Sequence, residues 1–166
     1  MRPSCWAVSD GAAGNERQAL ALARALGHQP EVIRLRARAP WRWFAPRLLP
    51  GASHAFGADF AQRAMQPPRL AIGCGRQAAL ALRLLRAAAP DCRTVQILDP
   101  RVDPQAFDLV IVPAHDTRRG PNVLVSRGGL NEVDAAWLAR ARLEWARFAA
   151  LPSPRTVVLL GGSTRA

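Results

Sequence analysis

Lysine is absent from the 166 residues, and acidic side chains are scarce. Twelve Asp and Glu stand against 23 basic residues, all arginine, for a formal net charge of +11. Without lysine there is no Walker-type phosphate loop. Cysteine is also sparse: Cys5, Cys74 and Cys92 are odd in number, widely spaced and without a CxxC pair. That excludes a disulfide framework and a zinc site, and no metal or cofactor is expected. Long apolar runs are missing as well. The longest, 109–113 and 157–160, are too short to cross a bilayer, and the apolar run 5–8 after Arg2 is too short for a signal peptide. A cytoplasmic protein is expected, with peripheral contact to a membrane.

What is present is a core: 49% of the residues are hydrophobic, which excludes disorder and suits one ordinary domain. The positive charge predicts attraction to phosphates, acidic lipids or nucleic acid. Arginine beside abundant alanine also fits a codon bias, and no specific nucleic-acid partner is expected.

Strand-like and helix-like segments alternate. Residues 4–8 form an apolar run ending in the turn 10–14. Asn15 reads as an N-cap with Gln18 three residues on, and Ala19, Leu22, Ala23 and Leu26 repeat at helical spacing before Gly27. Short strands are predicted at 32–35, 70–72, 94–98, 109–112 and 123–125. A helix after Gly75 stops before Pro90, and a long one begins near Asn131 or Asp134. A last strand is expected over 156–160. Continuous apolar strands alternating with helices predict an α/β fold, a Rossmann-like parallel sheet covered on both faces. Right-handed crossovers favour the strand order 2-1-3-4-5-6.

In such sheets ligands bind beyond the carboxyl ends of the strands, where the order reverses. Here that crevice lies between the loop 9–15 and the loop 73–76. Gly11, Gly14, Gly73 and Gly75 allow close backbone approach, Asn15 and Cys74 lie beside them, and Arg76 adds a fork suited to phosphate or carboxylate. The same glycines would also serve tight βα turns alone. Cys74 at a helix N-terminus beside Arg76 is in a setting that lowers a thiol pKa, although with no positioned base it reads better as a packing or loop residue. The first turn lacks G-x-G-x-x-G and Arg36 follows the second strand in place of an acid, which argues against a dinucleotide enzyme.

Further candidates sit at other strand ends. Gln96, Asp99 and Arg101 follow the fourth strand, and His115 with Asp116 follows the fifth. An adjacent His and Asp could do acid–base work or form a solvated loop pair. The segment 34–50 interleaves five arginines with Trp41, Trp43, Phe44, Leu48 and Leu49. It suits a membrane surface, a lipid-linked substrate or single-stranded nucleic acid, or else a loop whose aromatics pack on the sheet.

With these loops in place, the chain resembles the mitochondrial-fission "elongated mitochondria" family and its bacterial relatives, often labelled predicted nucleoside-diphosphate-sugar epimerases. The matching stretches are 6–16, 73–76, 95–101, 107–116 and 120–124. More distantly, the layout is similar to the N-terminal, acceptor-side half of GT-B glycosyltransferases. That resemblance implies a domain over 1–150, followed at 151–166 by a linker and the first strand of a missing second domain. It implies a glycosyltransferase-like, nucleotide-sugar-related role that is inactive without the second domain, with a sugar or lipid-linked acceptor. Asp10 would be the general base and His115 the runner-up, while Trp41, Trp43 and Phe44 would contact membrane or acceptor. The alternative is a fission-factor scaffold without catalysis. An uncovered last strand predicts a homodimer.

Overall fold

A computed structural model describes residues 5–158. The chain divides into two compact units, residues 1–131 and 132–166.

The first unit is built on a six-stranded sheet in the order β2-β1-β3-β4-β5-β6, with every pair parallel. Its strands are β1 (Cys5–Ser9), β2 (Glu31–Arg34), β3 (Leu70–Cys74), β4 (Arg93–Ile97), β5 (Leu109–Pro113) and β6 (Val123–Ser126). The expected order and Rossmann-like architecture hold, with the reversal between β1 and β3. Alternate side chains feed two cores. Cys5, Ala7, Ile72, Cys74, Val95 and Ile97 pack against Ala19 and Ala23 of α1 (Ala13–Ala25). Trp6, Val8, Ala71, Val110 and Val112 pack with Leu82 and Leu85 of another helix, Arg76–Ala88.

Two helices fall in the connection after β2: a single turn, α2 (Trp41–Phe44), and α3 (Gly57–Ala64), which buries Phe60. The helix Arg76–Ala88 is therefore α4. It is buried on two sides, because Leu80 packs with Ala45 and Ala55 of the 35–56 segment on the face away from the sheet. Close approach to the sheet depends on Gly73, where an added Cβ would stand 2.8 Å from Leu82 Cδ1 and 3.2 Å from Ala78 Cβ.

The expected N-cap at Asn15 is corrected: α1 begins at Ala13 and its N-cap residue is Ala12. Asp10 starts the turn instead, its Oδ1 accepting the Ala12 N–H at 3.1 Å. That frees the Asn15 side chain to point elsewhere, and Gln18 closes no capping box.

The second unit contains α5 (Ala135–Glu144), capped by Asp134, whose Oδ1 accepts the Trp137 N–H at 2.6 Å. A short 3₁₀ turn, Ala146–Ala150, follows, with Trp145 stacked on Phe148 and Arg147 over both rings. No described residue from 132 to 158 is buried. The helix read as closing a 1–150 domain thus belongs to the second unit. Residues 155–158 form no strand. The rest of the expected last strand, and dimerisation through it, fall outside the described residues. No helix among the described residues is long and apolar enough to cross a membrane.

Candidate functional site

Parallel pairing puts the carboxyl ends of all six strands on one edge, and at the reversal the two glycine-bearing loops meet. Asn15, on the first turn of α1, is the joint. Its Nδ2 donates to Asp10 Oδ1 at 3.1 Å, and its Oδ1 accepts from Cys74 Sγ at 3.4 Å. Gly75 has φ +93°, a conformation other residues rarely adopt, and its backbone lies against the Asn15 carboxamide. Gly11 is also left-handed, at φ +86°, and its N–H donates to Ser9 Oγ at 3.2 Å. Neither α1 nor α4 has a side-chain N-cap, so both helices present first-turn N–H groups and a positive dipole end at this corner. Gly14 is the second residue of α1, and Arg76 opens α4.

Two partners of the crevice were not read from the sequence. Arg34 at the end of β2 forks onto Glu16 in the first turn of α1, at 2.6 and 2.7 Å. The Arg34 hydrogen bonds hold the Glu16 carboxyl below its usual pKa. Ser9 Oγ reaches the same carboxylate at 3.4 Å. The readable signal was the strand order itself, which places the end of β2 beside the start of α1. Gln18 is the second: its Nε2 reaches Gly14 O at 3.5 Å and Cys74 Sγ at 3.8 Å, while its Oε1 accepts the Leu130 N–H at 3.4 Å.

Cys74 is not activated, contrary to the setting read at the helix N-terminus. Burial, reinforced by the negative charge of Asp10, pushes its thiol up to about 12. Its side chain is buried in the core shared by Ile72, Ile97 and α1.

The other candidates lie farther along the same edge. Gln96 is fully buried on β4, beside Gly73 in the register; its Nε2 donates to Ile97 O at 2.8 Å and its Oε1 has no partner among the described residues. Asp99 Oδ1 accepts the Arg101 N–H at 2.9 Å and Arg118 Nε at 3.2 Å. The flanking Leu98 and Arg101 are both left-handed, at φ 70° and 56°, which is uncommon without glycine. Asp116 Oδ1 is turned onto its own loop, accepting the Arg118 N–H at 2.8 Å, and His115 is exposed. Three strand spacings, roughly 14 Å, separate the ends of β1 and β5. Asp10 and His115 therefore follow strands that are not neighbours on this edge. Asn122 braces the β6 turn through Pro104 O and Phe107 O. Trp41, Trp43 and Phe44 form α2, beyond the end of β2. No group of three or more His, Cys, Asp or Glu that could hold a metal occurs among the described residues.

A six-stranded, all-parallel sheet flanked by helices, with its order reversing between β1 and β3, places this unit in the Rossmann-like class of α/β domains. The sequence model of the family described as "Mitochondrial fission ELM1" matches residues 13–166, and the chain belongs to that family. It is 34% identical over 119 residues to "Mitochondrial fission protein ELM1" of Arabidopsis thaliana, a match covering 57% of this chain and 28% of the relative. It is 27% identical over 132 residues to an uncharacterized protein of Rickettsia prowazekii, covering 74% of this chain and 36% of the relative. The chain thus spans about a third of the length of these curated relatives. No solved structure matches significantly.

Proposed function

We propose that the 5–131 domain is the acceptor-side, cleft-forming part of a GT-B-like glycosyltransferase, and that its switch-point corner binds an anionic, sugar-bearing ligand. The observation carrying this reading is the meeting of Asn15 with Cys74 and Gly75 between two helix N-termini without side-chain caps. Backbone N–H groups at such a corner bind anions, Arg76 supplies a bidentate fork, and the backbone at Gly11, where an added Cβ would meet nothing within 4 Å, is left accessible. Asp10 is the proposed base toward an acceptor hydroxyl. Its Oδ1 holds the loop through Ala12 and Asn15, so base and loop geometry are coupled. Sugar transfer also needs stabilisation of a leaving diphosphate. In the GT-B layout a second domain supplies it, so this domain alone is expected to bind without turnover.

The test is a nitrogen-15 NMR titration of the chain with pyrophosphate, a nucleoside diphosphate and a neutral sugar. Amide shifts confined to 10–15 and 73–76, lost in Arg76→Glu, are expected for the anions. Shifts that are absent, or unaffected by Arg76→Glu, overturn the proposal. The name of the Arabidopsis relative favours a second reading, a scaffold in mitochondrial fission without catalysis. Partner recruitment that survives Asp10→Ala with Arg76→Glu, with no ligand detected, would establish that reading instead.

A further inference from the structure

The connection between β2 and β3 has a sharply two-sided construction. Its small residues fill the interior: Ala37, Ala45, Ala52 and Ala55 are buried, and Ala45 and Ala55 pack on Leu80 of α4. Polar bonds fix it in place. Arg83 of α4 donates to Pro46 O at 2.7 Å, Gln77 Oε1 accepts the Ala37 N–H at 2.7 Å, and Trp41 Nε1 donates to Pro50 O at 3.1 Å. Three large apolar side chains of the same segment face water instead: Trp43 is 64% exposed, Phe44 46% and Leu48 44%.

Trp41 and Phe56 pack inward with Ala45 and Ala55 against Leu80, whereas Trp43 and Phe44 are mounted outward on the same braced turn, against the usual preference for burying large apolar side chains. Charge on the same segment has one sign. No acidic residue occurs between Glu31 and Asp59, and Arg36, Arg38, Arg42 and Arg47 are exposed. None of these four is ion-paired among the described residues, whereas Arg34 is neutralised by Glu16.

We propose that Trp43, Phe44 and Leu48, with the exposed Arg38, Arg42 and Arg47 of the same segment, form a docking surface for an anionic lipid bilayer. Tryptophan and phenylalanine rings partition to the headgroup boundary, and arginines beside them meet lipid phosphates. A nucleic acid would engage the arginines but give Leu48 and the outward ring edges no hydrocarbon. The charge complementarity is to the lipid phosphates, and the apolar trio matches the acyl boundary beneath them.

The test uses the full chain with phosphatidylcholine vesicles made with and without phosphatidylglycerol. Sedimentation should recover the protein with the anionic vesicles, decline with added salt, and recover little with neutral ones. Trp43→Ser with Phe44→Ser should weaken binding roughly tenfold or more, and Arg42→Glu with Arg47→Glu by a similar factor. Circular dichroism should stay unchanged, because all four side chains are exposed. Bromine-labelled lipids should quench tryptophan fluorescence in the native chain and distinctly less in Trp43→Phe. Equal binding to both vesicles would overturn the proposal. So would binding that survives both double variants, or that is removed by Trp137→Ser with Trp145→Ser in their place. A loss of self-association in light scattering, with vesicle binding intact, would assign the patch to a second copy and overturn it equally.

Discussion

Gly75 and Asn15 occupy one space: a Cβ added at position 75 would stand 2.6 Å from Asn15 Nδ2. The position also has φ +93°, so substitution is penalised twice. Gly75→Ala should cost about 1–3 kcal/mol of stability, the range for a residue forced into a sparsely populated conformation. Adding Asn15→Ala removes the clash but not the backbone strain, so the double variant should recover only part of the loss. Urea denaturation measures both, and a Gly75→Ala variant as stable as the native chain would contradict the geometry.

All three thiols should be sluggish. Burial, aided by Asp10, pushes Cys74 up to about 12; Cys5 and Cys92 rise to about 11, chiefly by burial. Thiolate is the reactive form, so near neutral pH the folded chain should react with a disulfide reagent far more slowly than free cysteine. Three equivalents should react once it is denatured. A fast thiol in a Cys5→Ser/Cys92→Ser chain would show Cys74 to be activated after all.

Asp108 should make the fold acid-sensitive. Burial alone would raise its pKa, but hydrogen bonds from the Thr94 N–H (2.8 Å) and hydroxyl (2.9 Å), with Arg86 and Arg93 nearby, hold it below its ordinary value. A depressed carboxylate stabilises the fold fully above its unfolded pKa, and that contribution is lost as pH falls through the folded one. Unfolding free energy should therefore drop as pH is lowered below about 4. In Asp108→Asn the dependence should be shallower and the stability at neutral pH lower. Urea titrations across this range check both.

The sheet was legible because its information is local. β-branched runs such as 94–98 and 109–112, each closed by proline or glycine, mark strands, and parallel connections leave few orders to choose from. The crevice followed from that order. What stayed hidden depends on contacts distant in sequence. Helix α3 is only eight residues long and opens on a glycine, a short stretch that does not stand out although its apolar and polar residues segregate at helical spacing. Asp10 organises the turn before α1 in place of Asn15, because either residue type can do so and only the packing of Asn15 against Cys74 and Gly75 decides which does. The Cys74 thiol was read from its helix end and its arginine neighbour, and burial outweighs both. The Glu16–Arg34 pair links two residues eighteen apart that only the pairing of β1 with β2 brings together.

One amide group touches three stretches of chain. Gln18 reaches the first turn of α1, the end of β3 and the backbone of Leu130, which is where the sheet unit hands over to the residues beyond. Turning that single carboxamide about its last bond swaps donor for acceptor and breaks the links to Gly14 O and to the Leu130 N–H together. A single carboxamide thus ties the corner between α1 and β3 to the backbone at residue 130, so shortening this one side chain would release both.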